Sequence, residues 1–204
     1  MSSILELPDD KAVSVIIRPP LSDREFEELC AANSNLNLEQ TKEGEIVVNA
    51  PASSGTSDGN AEIVTQLRVW WKTHRRGKTY ESSVGIILPD GSKMSPDAAY
   101  ATESQIEGLT GDDIAHFLKF VPAFIIELRS PSDSVRQAQA KMEQWIANGA
   151  ELAWLIDPRS ETVSIYKNSA DVFIDAGLAV RGTGPVDGFV LDVKEVWSAY
   201  KPKS

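Results

Sequence analysis

Two acidic residues stand where an acid needs a reason. Asp97 follows Ser95-Pro96 at the opening of an expected strand, and Glu127 sits late in the apolar run Phe124-Ile125-Ile126-Glu127-Leu128. A carboxylate inside such a run is unfavourable unless it is paired or bound to a metal. Two carboxylates on neighbouring strands can hold one hard divalent cation through oxygen ligands. That cation would lower the pKa of a bound water and neutralise charge on a phosphoryl group. Each acid also has a plainer reading: Asp97 as a turn residue after Pro96, and Glu127 as the ion-pair partner of Arg129.

The surrounding pattern must supply strands to carry these acids. Residues 124–128 read as a central strand buried on both faces. Ser130-Pro131-Ser132-Asp133 then caps a helix of about 133–148, closed by Asn148-Gly149. A second central strand is expected at 152–156 and an outer one at 162–166. Strand–helix–strand connections of this length imply parallel pairing. Residues 79–88 and 93–101 read as a hairpin about the turn Pro89-Asp90-Gly91.

Upstream, residues 1–20 read as an extended arm. Ser22 and Glu25 form a capping-box pattern for a helix over 22–33. A strand is expected at 45–48, a Gly/Ser-rich loop at 51–60 and a helix over 60–75, stopped by Gly77. Lys72, His74, Arg75 and Arg76 lie at that helix's C-terminal end, where its dipole favours cations. A short helix is expected near 111–119. Residues 168–188 read as loop-rich with an uncertain strand, then a last strand at 189–193 and a short helix through Trp197. The expected fold is α/β: a mixed central sheet flanked by helices, in one domain over 21–200.

Composition narrows the class. At 204 residues with 42% hydrophobic and 25% charged residues, the chain can bury a substantial core. No apolar run approaches the roughly 20 residues of a membrane helix, and the start MSSILELPDDK lacks the pattern of a signal peptide. One cysteine, Cys30, excludes an intrachain disulfide and suits a reducing cytoplasm. With two histidines it also excludes a Cys/His zinc site. A net charge of −10 argues against a general nucleic-acid coating protein, though an enzyme needs only a local basic rim.

Pro96-Asp97, followed about 30 residues later by Glu127-X-Arg129, resembles the PD-(D/E)XK nuclease signature. More closely, the chain resembles the bacterial Uma-two family of restriction-endonuclease type. The resemblance rests on SPDAAYA at 95–101, VPAFIIELRSPSDS at 121–134, KMEQWIANGA at 141–150 and LAWLIDP at 152–158. LSDREFEELCAAN near the N-terminus and the late GFVLDV extend it to about residues 20–197.

The resemblance implies a restriction-endonuclease-like core, α-β-β-β-α-β, and magnesium, or manganese in its place. Asp97 and Glu127 would be the metal ligands, with the Leu128 carbonyl a third. The substrate would be DNA, and a homodimer is expected because duplex cleavage needs two sites. The family's lysine position holds Arg129, which cannot act as a base at neutral pH but could neutralise phosphate charge. Lys141, on the flank of the apolar face of Val135, Ala138, Met142 and Trp145, is the other cation that could serve.

A helix-borne Glu often completes such sites, and Glu62 is the candidate. It lies roughly 140° from the centre of its helix's apolar stripe by the 100° step per residue. Asn60 lies nearer the stripe, but in the expected first turn, where capping is its natural job. His74 and His116 read as surface residues, and Trp70, Trp71, Trp145 and Trp154 as core or interface. The expected activity is metal-dependent phosphodiester hydrolysis by a cytoplasmic endodeoxyribonuclease. The alternative is a metal-free interaction module that keeps the nuclease fold.

Overall fold

A computed structural model describes residues 14–16, 19–49, 51–131, 133–167, 173–175 and 177–201. In chain order the first elements are β1 (Ser14–Ile16), α1 (Asp23–Ala32), β2 (Asn37–Gln40) and β3 (Glu45–Asn49). Then come α2 (Ser54–His74), β4 (Lys78–Glu81), β5 (Ile86–Ile87), β6 (Lys93–Met94) and β7 (Ala98–Ala101). Two short helices, α3 (Glu103–Ile106) and α4 (Gly111–Ala115), precede β8 (Phe124–Leu128), α5 (Val135–Ala147), β9 (Leu152–Asp157) and β10 (Thr162–Lys167). The chain closes with β11 (Phe173–Asp175), β12 (Ala179–Arg181), β13 (Val190–Asp192) and α6 (Val193–Ser198). The arm expected over 1–20 lies largely outside the described residues, and Ser14–Ile16 within it are strand.

The chain packs as two compact units. The first is formed by the described residues of 1–51, 84–95 and 109–120. Its five-stranded sheet, in the order β1-β3-β2-β6-β5, is antiparallel throughout. Ser22 caps α1 reciprocally with Glu25, as the sequence implies, and the helix buries Phe26 and Leu29 in a core with Leu38, Ile46 and Val48. Lys93 is buried here with its charge satisfied: Nζ donates to Gln40 Oε1 at 2.8 Å and pairs with Asp23 at 3.4 Å.

The second unit, formed by the described residues of 52–83, 96–108 and 121–204, carries the two acids. Its six-stranded sheet has the order β11-β10-β9-β8-β7-β4. Only β8 and β9 pair in parallel, joined through α5, and every other neighbour is antiparallel. The sheet is therefore mixed, and α2-β4-β7-β8-α5-β9 is the α-β-β-β-α-β core. Ile63 and Leu67 of α2 pack with Ala98, Tyr100, Phe124, Ile126 and Leu128. Trp145 of α5 instead reaches Glu127. Successive strand residues face opposite ways, so α2 and α5 cover opposite faces of the sheet.

Four expectations shift. The single hairpin over 79–101 divides: β5 and β6 pair around Pro89-Asp90-Gly91 in the first unit, whereas β4 and β7 pair in the second. Asp90 Oδ1 accepts from the Ser92 amide at 2.9 Å and fixes that turn. Helix α5 is capped by Ser134 with Gln137, not by the residues before it, while Asp133 accepts from the Ser130 amide. Helix α2 starts at Ser54, so most of the expected loop is helical. Ser53 caps it, and packing overrides the low helix propensity of Gly55 and Gly59. Finally, Arg75 rather than Gly77 takes the left-handed position that ends α2. Gly77 has its own constraint, because a Cβ there would lie 2.1 Å from the Ala101 carbonyl oxygen.

Candidate active site

The β7–β8 register pairs Ala98 with Ile126. Asp97 immediately precedes Ala98 and Glu127 immediately follows Ile126, so the two acids lie at the same end of adjoining strands. Asp97 turns its carboxylate onto fixed donors. The Leu128 amide donates to Oδ2 at 2.7 Å, and Asn60 Nδ2 donates to Oδ1 at 2.8 Å. Glu127 is only 8% exposed. Its Oε1 accepts from the Trp145 indole N–H at 2.8 Å and lies 3.1 Å from the Lys141 ammonium. Lys141 and Trp145 are four residues apart on α5, hence on one helix face. The fully buried Trp145 anchors that face, and the partly exposed Lys141 extends along it.

Arg129 has other partners. NH1 donates to both Asp157 carboxylate oxygens at 3.0 and 2.9 Å, and Nε and NH2 donate to the Asp133 carbonyl at 3.2 and 2.9 Å. The guanidinium ties the end of β9 to the segment that leads into α5. Glu62 Oε1 accepts from Gln66 Nε2 at 2.9 Å. Among the described residues, no three His, Cys, Asp or Glu side chains gather closely enough to hold a metal, so Glu62 does not join Asp97 and Glu127. Of the cations the sequence offers, the structure brings Lys141 to Glu127 and sets Arg129 on Asp157.

Asn60 and Trp145 are the site contacts that sequence reasoning missed. The signal for Asn60 was present: with α2 starting at Ser54, Asn60, Ile63 and Leu67 follow the i, i+3, i+7 pattern of one face. Close packing brings that face to the sheet. A Cβ on Gly59 would lie 3.0 Å from Leu128 Cδ2 and 3.4 Å from the Tyr200 ring. Burial pushes the Tyr200 phenol up; the Thr56 hydroxyl opposes the shift and the charge of Asp97 adds to it. In Gly59→Ala an overpacking cost of about 1–3 kcal/mol is offset in part by the roughly 1 kcal/mol that alanine contributes to helix propensity. The expected net destabilisation is about 0–2 kcal/mol. Chemical denaturation of the two proteins reads the difference.

A mixed sheet built as α-β-β-β-α-β, with two acids at adjoining strand ends, is a restriction-endonuclease-like fold. The chain belongs to the Uma2 family: that family's model, described as "Putative restriction endonuclease", matches residues 23–193. Among solved structures, the chain is similar to a "putative nuclease belonging to DUF820" from Anabaena variabilis ATCC 29413. The two share 21% identity over 88% of this chain and 99% of the other, with a TM-score of 0.74. At that identity the shared property is the fold. No curated protein matches this chain. The family supports a nuclease role. Among the described residues, no helix is long and apolar enough to cross a membrane.

Proposed function

We propose that this protein hydrolyses phosphodiester bonds in DNA, using magnesium or manganese held by Asp97 and Glu127. The observation that carries the reading is a buried carboxylate, Glu127, fixed by Trp145 and Lys141 beside the strand end that bears Asp97. The donors suit a hard cation, since the side chains and the Leu128 carbonyl offer only oxygen. Asp97 and Glu127 bring two carboxylates to the same end of adjoining strands, which suits them to a divalent cation. When bound, it lowers the pKa of a water and neutralises charge on the phosphoryl group.

The chain's own residues do the rest by preorganisation. Asn60 and the Leu128 amide hold Asp97, and Trp145 holds Glu127, so neither carboxylate must be ordered when substrate arrives. The Lys141 ammonium donates and cannot accept, which suits it to the charge that develops on phosphate oxygens. Arg129 acts one step removed, by fixing the entry to the helix that carries Lys141. Cleaving both strands of a duplex takes two such sites, so the active form in this reading is a homodimer, working in the cytoplasm. The net charge of −10 favours a second reading, a nuclease-fold binding module that does not cleave.

Incubating the purified protein with supercoiled, linear and single-stranded DNA in magnesium, manganese or EDTA separates the two. Metal-dependent nicking or linearisation supports the enzyme, and intact DNA in every metal supports the module. A binding readout accompanies it. Magnesium at about a hundred times its Kd should stabilise the fold by roughly 2.7 kcal/mol, or about 5–10 °C in Tm. Glu127→Ala should abolish that response. An unchanged magnesium response in this variant would place the metal elsewhere.

A further inference from the structure

We propose that Asn60 belongs to the cation site, its amide nitrogen holding Asp97 and its carbonyl oxygen serving as a neutral donor from helix α2. The inference rests on the metal site proposed above. Asn60 Nδ2 lies 2.8 Å from Asp97 Oδ1. That contact fixes the amide's orientation, because the reverse orientation would set its oxygen against a carboxylate oxygen. The carbonyl oxygen, Oδ1, is then buried and accepts no hydrogen bond from the protein. An amide oxygen kept dry without a donor is unfavourable. Beside a carboxylate, a neutral oxygen is what a hard cation takes as a further ligand.

The neighbours leave this place to Asn60. Of the two acids two residues from Asn60 along α2, Asp58 is exposed, and Glu62 is engaged by Gln66, which is itself bonded to the Asp192 backbone in both directions. Asp97 Oδ2 accepts from the Leu128 amide. Helix α2 is held against Leu128 and Tyr200 by the close approach at Gly59, so residue 60 has a defined position at the strand end.

Melting temperature is measured against magnesium concentration for the full chain and for Asn60→Ala and Asn60→Asp, with magnesium alone as the ligand. Asn60→Ala should raise the concentration giving half the thermal shift by about ten- to a hundredfold. In EDTA its Tm should move by only a few degrees. Asn60→Asp sets a second carboxylate beside Asp97, so its Tm in EDTA should fall below that of Asn60→Ala. Its gain with magnesium should exceed that of the unmodified protein. Should it fold only once magnesium is added, that too supports the inference. If both variants lower Tm equally with and without magnesium, at an unchanged half-effect concentration, Asn60 only braces the fold and the inference falls. If the unmodified chain shows no magnesium response, the cation site itself fails and takes this inference with it.

Discussion

Lys141→Ala is expected to cut DNA cleavage by about 10²–10³-fold, the usual scale for losing one preorganised charge-stabilising donor. Its Tm in magnesium should hardly change. The side chain is partly exposed, and Trp145 still donates to Glu127. Lys141→Arg should rescue poorly, because a planar fork does not reproduce a compact ammonium at 3.1 Å from Glu127 Oε1. Single-turnover cleavage of supercoiled DNA, with circular dichroism as the fold control, reads both variants. Full activity in Lys141→Ala would remove Lys141 from the chemistry.

Arg129→Ala should have a large effect of the opposite kind. It leaves Asp157 without its bidentate partner and the Asp133 carbonyl without two donors, in a pair whose side chains are 7% and 16% exposed. Breaking such a pair by removing one side costs about 3–5 kcal/mol. Arg129→Lys should recover only part of that, since one ammonium cannot match the fork. Activity per folded molecule, measured well below the lowered Tm, should stay within roughly tenfold of the unmodified protein. A loss as deep as that of Lys141→Ala would return Arg129 to the chemistry.

These two residues show how far the sequence could be read. Glu127 stood out because an acid inside an apolar strand needs a partner, and Asp97 because of its place before the neighbouring strand. Lys141 was legible from its flank position on α5. The exchange between Arg129 and Lys141 was left open, because choosing required knowing that Asp157, at the end of β9, meets the guanidinium. Trp145 read as core, and it is buried. A helical wheel shows that it points inward, but not that its indole N–H ends on a carboxylate. Asn60 was misplaced for a local reason: 51–60 has loop composition, whereas Ser53 caps a helix stabilised by packing at Gly55 and Gly59. The divided hairpin escaped because alternation specifies strands but not the sheet each strand joins.

The spacing of the site contacts along the chain sets an order of assembly. Glu127, Lys141 and Trp145 lie within the β8-α5-β9 segment, and Trp145 is 18 residues from Glu127. Asp97 is 37 residues from Asn60 and 31 from Leu128. Contacts of short separation close at lower entropic cost, so the Glu127 half can form while the Asp97 half is still open. The reverse holds for partial opening of the native protein. Asp97 should release first and leave Glu127 housed, and the Leu128 amide that it caps reports the event. Hydrogen exchange at that amide should therefore be faster than at the central amides of β8 and should slow when magnesium is added.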